Sequence, residues 1–191
     1  MKKLGPAILL AMAWATCSLA AQEATNIYFS TILPPKTRLE SIETNTGVIL
    51  IKGKTLIGSV QGQRSTIFVR CVDFWEPISQ HREMGLVVEV READRVEDST
   101  AVDEIDGMIA AIDYLSKTDA SITALQSFEG VYKTRGELRL ATFSSKQTGV
   151  VQATIQSAHQ YRTGALLTMD QFARFRLLLQ QGKEKLDSLR K

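Results

Sequence analysis

One pattern occurs twice in this chain, and it leaves few folds open. Leu39-Glu40-Ser41-Ile42-Glu43 is followed by Gly47 and the apolar run Val48-Ile49-Leu50-Ile51; Leu125-Gln126-Ser127-Phe128-Glu129 is followed by Gly136 and the alternating run from Glu137 to Phe143. Both copies close on a helix start. Thr100-Ala101-Val102-Asp103 and Thr168-Met169-Asp170-Gln171 read as capping boxes, in which a hydroxyl accepts from an otherwise unpaired helix amide and the side chain three residues on reaches back. Beyond them, Val102, Ile105, Met108, Ile109, Ile112 and Leu115 recur at helical spacing, as do Phe172, Phe175, Leu178, Leu179, Leu186 and Leu189. Each helix therefore has one apolar stripe to cover.

The strands that precede each helix are the expected cover. Segments 65–72, 85–92, 136–144 and 148–158 are β-branched and partly alternate, and in the third Leu138 and Leu140 share a face opposite Glu137, Arg139 and Ala141. Glycines at 47, 53, 58, 62, 130, 136 and 149 supply turns. The expected fold is α+β: a tandem repeat of an antiparallel four-stranded meander followed by one α-helix. Its boundaries are a signal peptide over 1–20, an N-terminal extension over 21–38, a first sheet-plus-helix repeat over 39–118 and a second over 125–191. The first copy is longer by roughly 18 residues, expected within Asp73–Gly85 and Arg91–Ser99, because loops tolerate added length. Gly182 falls on the apolar stripe of the last helix, where it costs about 1 kcal/mol relative to alanine. It therefore marks either a close approach or a bend.

The N-terminus reads as a secretory leader. Lys2 and Lys3 precede the apolar Ala7–Ala15, and Ser18-Leu19-Ala20 offers the small residues of a cleavage site, with Ala20 or Ala21 the expected last residue removed. The apolar run is shorter than the roughly 20 residues of a membrane span, and no later stretch reaches that length. A lipid-anchor reading of Cys17 is weaker, because Thr16 precedes it. The expected location is thus periplasmic or secreted. Cleavage removes two lysines and no acid, so the net charge of +2 falls to zero. A chain without a global positive field is a poor general binder of nucleic acid or anionic lipid. Cys71 is then the remaining thiol, excluding an internal disulfide; its β-like setting predicts a small buried hydrophobe.

Gly53-Lys54-Thr55 after Gly47 raises the question of a nucleotide phosphate. The intervening Val48–Lys52 is one residue longer than a phosphate-binding loop allows, and Leu56-Ile57-Gly58-Ser59-Val60 follows where a helix should begin. The triplet reads instead as a turn between two strands, with Gly53 and Lys54 at its tip.

Other candidate sites compete with plainer readings. The acids Glu92, Asp94, Glu97, Asp98, Asp103, Glu104 and Asp106 lack the alternating order of a calcium loop, and acids gather at helix starts because they meet the positive dipole end. His81 and His159 have no second ligand at metal spacing, so zinc is not expected. No serine sits in a nucleophile elbow, although a site assembled in space around His81 or His159 would make the chain a hydrolase. Trp75, beside Pro77, is expected to close the edge of a core; exposed, it would stack a small ligand. Arg174, Arg176, Lys183, Lys185, Arg190 and Lys191 form a solvated helix face, with Asp187 and Lys191 at a favourable spacing.

Asp103–Lys117 and Ser127–Gly136 carry a resemblance. They are similar to the D-E-I-D-x-[ML]-I-x-x-I-D-Y-[IL]-x-K helix and the S-F-E-x-x-Y-x-T-[RK]-G segment of a family of bacterial exported proteins of uncharacterised function, and the match spans most of the chain after residue 37. That resemblance brings no activity. The layout also resembles the whirly and positive-cofactor type of single-stranded DNA binder in architecture alone. A neutral charge, an export signal and 7% aromatic residues speak against nucleic acid, since such binding uses a basic groove with stacking aromatics. The functional expectation is a non-enzymatic exported protein with no cofactor and no catalytic or metal residues, binding a protein or envelope partner through a sheet face or edge.

Overall fold

The computed structural model describes residues 34–92, 95–144, 149–157 and 163–190, excepting the side chains of 95–98. The leader, Cys17, Asp94, His159 and Lys191, and the side chains of Glu97 and Asp98, lie outside that description.

The chain enters through a short helix, α1 (Arg38–Glu43), capped by Thr37: its hydroxyl accepts from the Glu40 amide at 3.2 Å, and Glu40 Oε2 accepts from the Thr37 amide. Thr37-Arg38-Leu39-Glu40 is thus a capping box that overlaps the start of the repeat at Leu39. Four antiparallel strands follow, β1 (Ile51–Gln61), β2 (Ser65–Glu76), β3 (His81–Glu92) and β4 (Arg95–Val102), then α2 (Ile105–Leu115). A second meander, β5 (Glu129–Lys133), β6 (Arg139–Ser144), β7 (Val151–Gln156) and β8 (Gly164–Leu167), leads into α3 (Met169–Leu189). The expected α+β architecture, two four-stranded antiparallel sheets each followed by a helix, is present.

Thr168 caps α3 as read, with its hydroxyl 3.2 Å from the Gln171 amide and Gln171 Oε1 returning to the Thr168 amide at 2.7 Å. Thr100 caps nothing. It lies in β4 opposite Val88, fully buried, with its hydroxyl 2.7 Å from that of Ser157. The β-branched Val102 extends the strand, and pairing with β3 outcompetes the local cap. Glu104 takes the N-cap position of α2 without a side-chain bond, and Asp103 accepts from the Arg38 amide at 3.0 Å.

The Gly53-Lys54-Thr55 triplet is not a turn either: it lies inside β1, opposite Asp73, Val72 and Cys71. The actual β1–β2 turn is at Gly62–Arg64, where the Gly62 amide donates to Ser65 O at 2.7 Å. The added length of the first copy is not an insertion of loop. β2 and β3 run for twelve residues each, against six each in β6 and β7. Asp73–Glu76 and His81–Met84 thus lengthen a hairpin.

One core joins both halves, and the helices cross over. α3 lies mainly on β1, β2 and β3 of the first sheet, while α2 lies on β5 and β6 of the second and against α3. This corrects the expectation that each helix covers the strands preceding it. Phe172, Phe175, Leu179 and Leu186 enter the same buried cluster as Ile67, Val69, Leu86 and Val88. A methyl group at Gly182 would lie 2.7 Å from Leu86 Cδ2, so Gly182 marks a close approach to a side chain within an unbroken helix. Arg176 makes a forked pair with Asp113 of α2 (2.6 and 2.9 Å), and Lys183 reaches Asp106. These two basic residues, read as part of a solvated face, tie the helices together.

Candidate functional site

Strand alternation gives the first sheet two different faces. Ile67, Val69 and Cys71 of β2 turn toward α3, and the Cys71 thiol, buried as expected, has a pKa raised by that burial. The opposite face is built by the intervening residues: Phe68, Arg70, Val72 and Phe74 from β2, Lys52, Lys54 and Leu56 from β1, and Val87, Glu89 and Arg91 from β3, in the register Lys52–Phe74–Glu83, Lys54–Val72–Gly85 and Leu56–Arg70–Val87. Helix α1 covers only one end of it. Leu39 packs where Gly85 has no side chain, 2.7 Å from where a Cβ would stand, and Leu39 and Ile42 close a small cluster with Val72, Phe74 and Ala101.

Beside α1 the face forms a groove of about 380 Å³, with Glu43 on its wall and Lys54, Arg70, Val72, Phe74, Val87, Glu89 and Ser99 around it. Its acids are occupied. Glu89, 7% exposed, accepts from Arg70 Nε at 2.9 Å and from Arg91 Nη2 at 3.0 Å, while Glu43 pairs with Lys52. Both guanidiniums lie near the Phe68 ring, 5.6 and 4.9 Å from its centroid, and the Lys52 ammonium is 5.1 Å from that of Phe74. Cations held over aromatic faces are attracted by the ring quadrupole. Among the described residues Lys54 forms no ion pair, and no hydrogen bond takes the terminal nitrogens of Arg70. The groove thus offers unspent positive donors over an apolar floor.

The groove borders an open strand edge. β1 is at the margin of its sheet, and no strand among the described residues pairs with its outer side. Its residues from Ile51 to Leu56 are exposed, Ile51 and Leu56 each by half, and Val48, Ile49 and Ile78 add exposed apolar surface near its start. Trp75 stands opposite Ile51 and is 42% exposed. It is therefore no edge of a core, because the lengthened hairpin carries it past the part of the sheet that α3 covers.

The remaining sequence candidates do not converge. His81 lies half-exposed at the start of β3, with Nε2 3.4 Å from Glu83 Oε1, and its backbone amide donates to Ser79 Oγ at 3.3 Å. Serine, histidine and acid thus cluster on one turn, but the serine oxygen faces a main-chain amide and not the imidazole. Of the acid stretch, Glu89 pairs with arginines, Glu92 accepts from the Gly164 amide at 3.2 Å, and Asp103, Glu104 and Asp106 surround the start of α2. No group of three metal-ligating side chains forms among the described residues. A second hollow, about 190 Å³, lies between α2 and α3 with Arg38, Asp103, Asp106, Lys183 and Asp187 at its rim; its charges are largely paired with one another. No helix among the described residues is long and apolar enough to cross a membrane.

The sheet-face groove had no signature in sequence. Lys54 was visible only as part of a false phosphate motif, and Arg70, Glu89 and Phe68 are widely separated along the chain. Strict alternation through Thr66-Ile67-Phe68-Val69-Arg70-Cys71 was the available signal, since it marks one face as partly polar. Compared with family models, with curated proteins and with solved structures, the chain matches none.

Proposed function

We propose that the chain is an exported, non-enzymatic binding protein that takes up an extended segment of a partner protein along β1. The observation that carries this reading is the eleven-residue edge strand whose first half is exposed beside exposed Val48, Ile49 and Trp75. An open edge presents a row of main-chain donors and acceptors, and adding a strand satisfies them while alternate side chains enter neighbouring surface. Lys52, Lys54 and the irregularity between Leu56 and Gly58 discourage pairing with a second copy, because like charges would be brought together. They leave the edge open to a chain of different charge. The leader-like N-terminus supports export.

A photo-crosslinking residue placed at Lys54 or Leu56, with Arg174 on the outer side of α3 as control, tests the reading in cells of the source organism. A discrete protein adduct from the two β1 positions and none from Arg174 is expected. Silence at both β1 positions, or the same adduct from all three, overturns it. The exposure of Trp75 supports a second reading, a small ligand stacked at the far end of the same sheet, which quenching of its fluorescence across a metabolite panel would reveal.

A further inference from the structure

Which segment such an edge accepts depends on the surface beside it. On one face of an antiparallel pair, diagonal neighbours lie within reach of long side chains. Lys54 is opposite Val72, so Arg70, two residues before Val72, is its diagonal neighbour on the groove side. Arg70 is held in place by Glu89 through Nε alone, so its planar fork is oriented with the terminal nitrogens still available. An arginine fixed in this way loses little conformational freedom on binding and matches a carboxylate in two parallel hydrogen bonds. Among the described residues the acids at the groove, Glu43 and Glu89, pair with Lys52, Arg70 and Arg91, and none pairs with Lys54.

We infer that the segment taken up along β1 is acidic, with one carboxylate held between the Lys54 ammonium and the Arg70 terminal nitrogens and an apolar side chain two residues along resting beside Leu56, its neighbour on the same face of β1. This rests on the edge-capture reading, and it adds the chemistry of the captured chain. A strand added at β1 presents alternate side chains to the groove face, so the partner motif is an acid with an apolar residue two positions away, the residues between them turning to the other face.

Three fluorescent ten-residue peptides of alternating threonine and valine, with one central valine replaced by glutamate, glutamine or lysine, serve as probes, titrated by anisotropy against the full chain and its Lys54→Gln, Arg70→Lys and Lys117→Gln variants. The glutamate peptide is expected to bind at least about tenfold more tightly than the glutamine peptide, and the lysine peptide more weakly still. Lys54→Gln and Arg70→Lys should each remove most of that preference, Lys117→Gln none, and added salt should erode it. Lys54 is exposed and Arg70→Lys keeps the charge beside Glu89, so both variants should fold; circular dichroism checks this. Equal affinity for all three peptides overturns the acidic specificity while leaving edge capture to the cross-linking result. No binding of any peptide also overturns it, as does a concentration-dependent dimer strengthened by Lys54→Gln, which would show that the edge takes a second copy.

Discussion

The Cys71 thiol on β2 lies 3.4 Å from the carbonyl oxygen of Gly182 on α3 and donates to it. The two residues belong to opposite halves of the repeat, so this contact joins the last helix to the first sheet. It exists because position 182 has no side chain.

Gly182→Ala is therefore expected to destabilise the protein although alanine is the better helix former. The gain in helix propensity is about 1 kcal/mol. Against it, the new methyl would sit 2.7 Å from Leu86 Cδ2 and 3.0 Å from Cδ1, and Leu86 is fully buried in the core shared by both sheets. Overpacking of this kind costs about 1–3 kcal/mol. Urea denaturation should show a net loss, and Leu86→Val should recover part of it in the double variant; additive losses would mean the two positions do not touch.

Gly85→Ala should act locally. The added carbon meets Leu39 Cδ1 at 2.7 Å, and α1 is held on the sheet chiefly through Leu39 and Ile42. A six-residue helix has little stability of its own. Hydrogen exchange should quicken at the amides of residues 41–44 while β3 keeps its protection. Uniform quickening throughout the first sheet would contradict this account.

The Arg176–Asp113 fork predicts a pH dependence with a definite sign. A hydrogen bond from Arg176, more than the accompanying charge attraction, holds the Asp113 carboxyl below its ordinary pKa. A depressed carboxyl pKa contributes stability above the unfolded value and loses it as pH falls through the folded value. Asp113→Asn should lower stability slightly at neutral pH and converge on the unaltered protein in acid, flattening the acid limb of the stability curve below the usual aspartate range. In a carboxyl-detected NMR titration, Arg176→Gln should return Asp113 toward an ordinary aspartate pKa; an unmoved pKa would refute the assignment.

Trp75 is expected to behave as a surface residue. In a Trp14→Phe background, its emission should be red-shifted and readily quenched by acrylamide in the folded protein. Trp75→Ala should change stability by no more than about 0.5 kcal/mol, as for surface substitutions generally. A blue-shifted, protected emission would mean that another part of the chain covers it.

Some of this architecture was legible from pattern alone. The stripe of Phe172, Phe175 and Leu179 and the cap at Thr168 defined α3, because a helix of this length satisfies its own main chain and declares its buried face every three to four residues. Cys71 was readable as buried from the β-branched run around it. Thr100 shows the opposite case: its four-residue signature fits a helix start and its neighbours fit a strand, and only the presence of β3 alongside decides. The same holds for Gly53-Lys54-Thr55, where glycine and lysine suggest a turn but the pairing with Val72 and Asp73 keeps the strand running.

The amino-acid order by itself determined two meanders and two amphipathic helices, since alternation and helical periodicity are properties of neighbouring residues. The tertiary structure decided which helix covers which sheet, because two apolar stripes and two apolar faces are interchangeable until shape distinguishes them; the fit of Gly182 against Leu86 does so. It also decided that Lys54, Arg70 and Glu89 share a groove. Strand register, and not sequence distance, sets which side chains meet across a sheet.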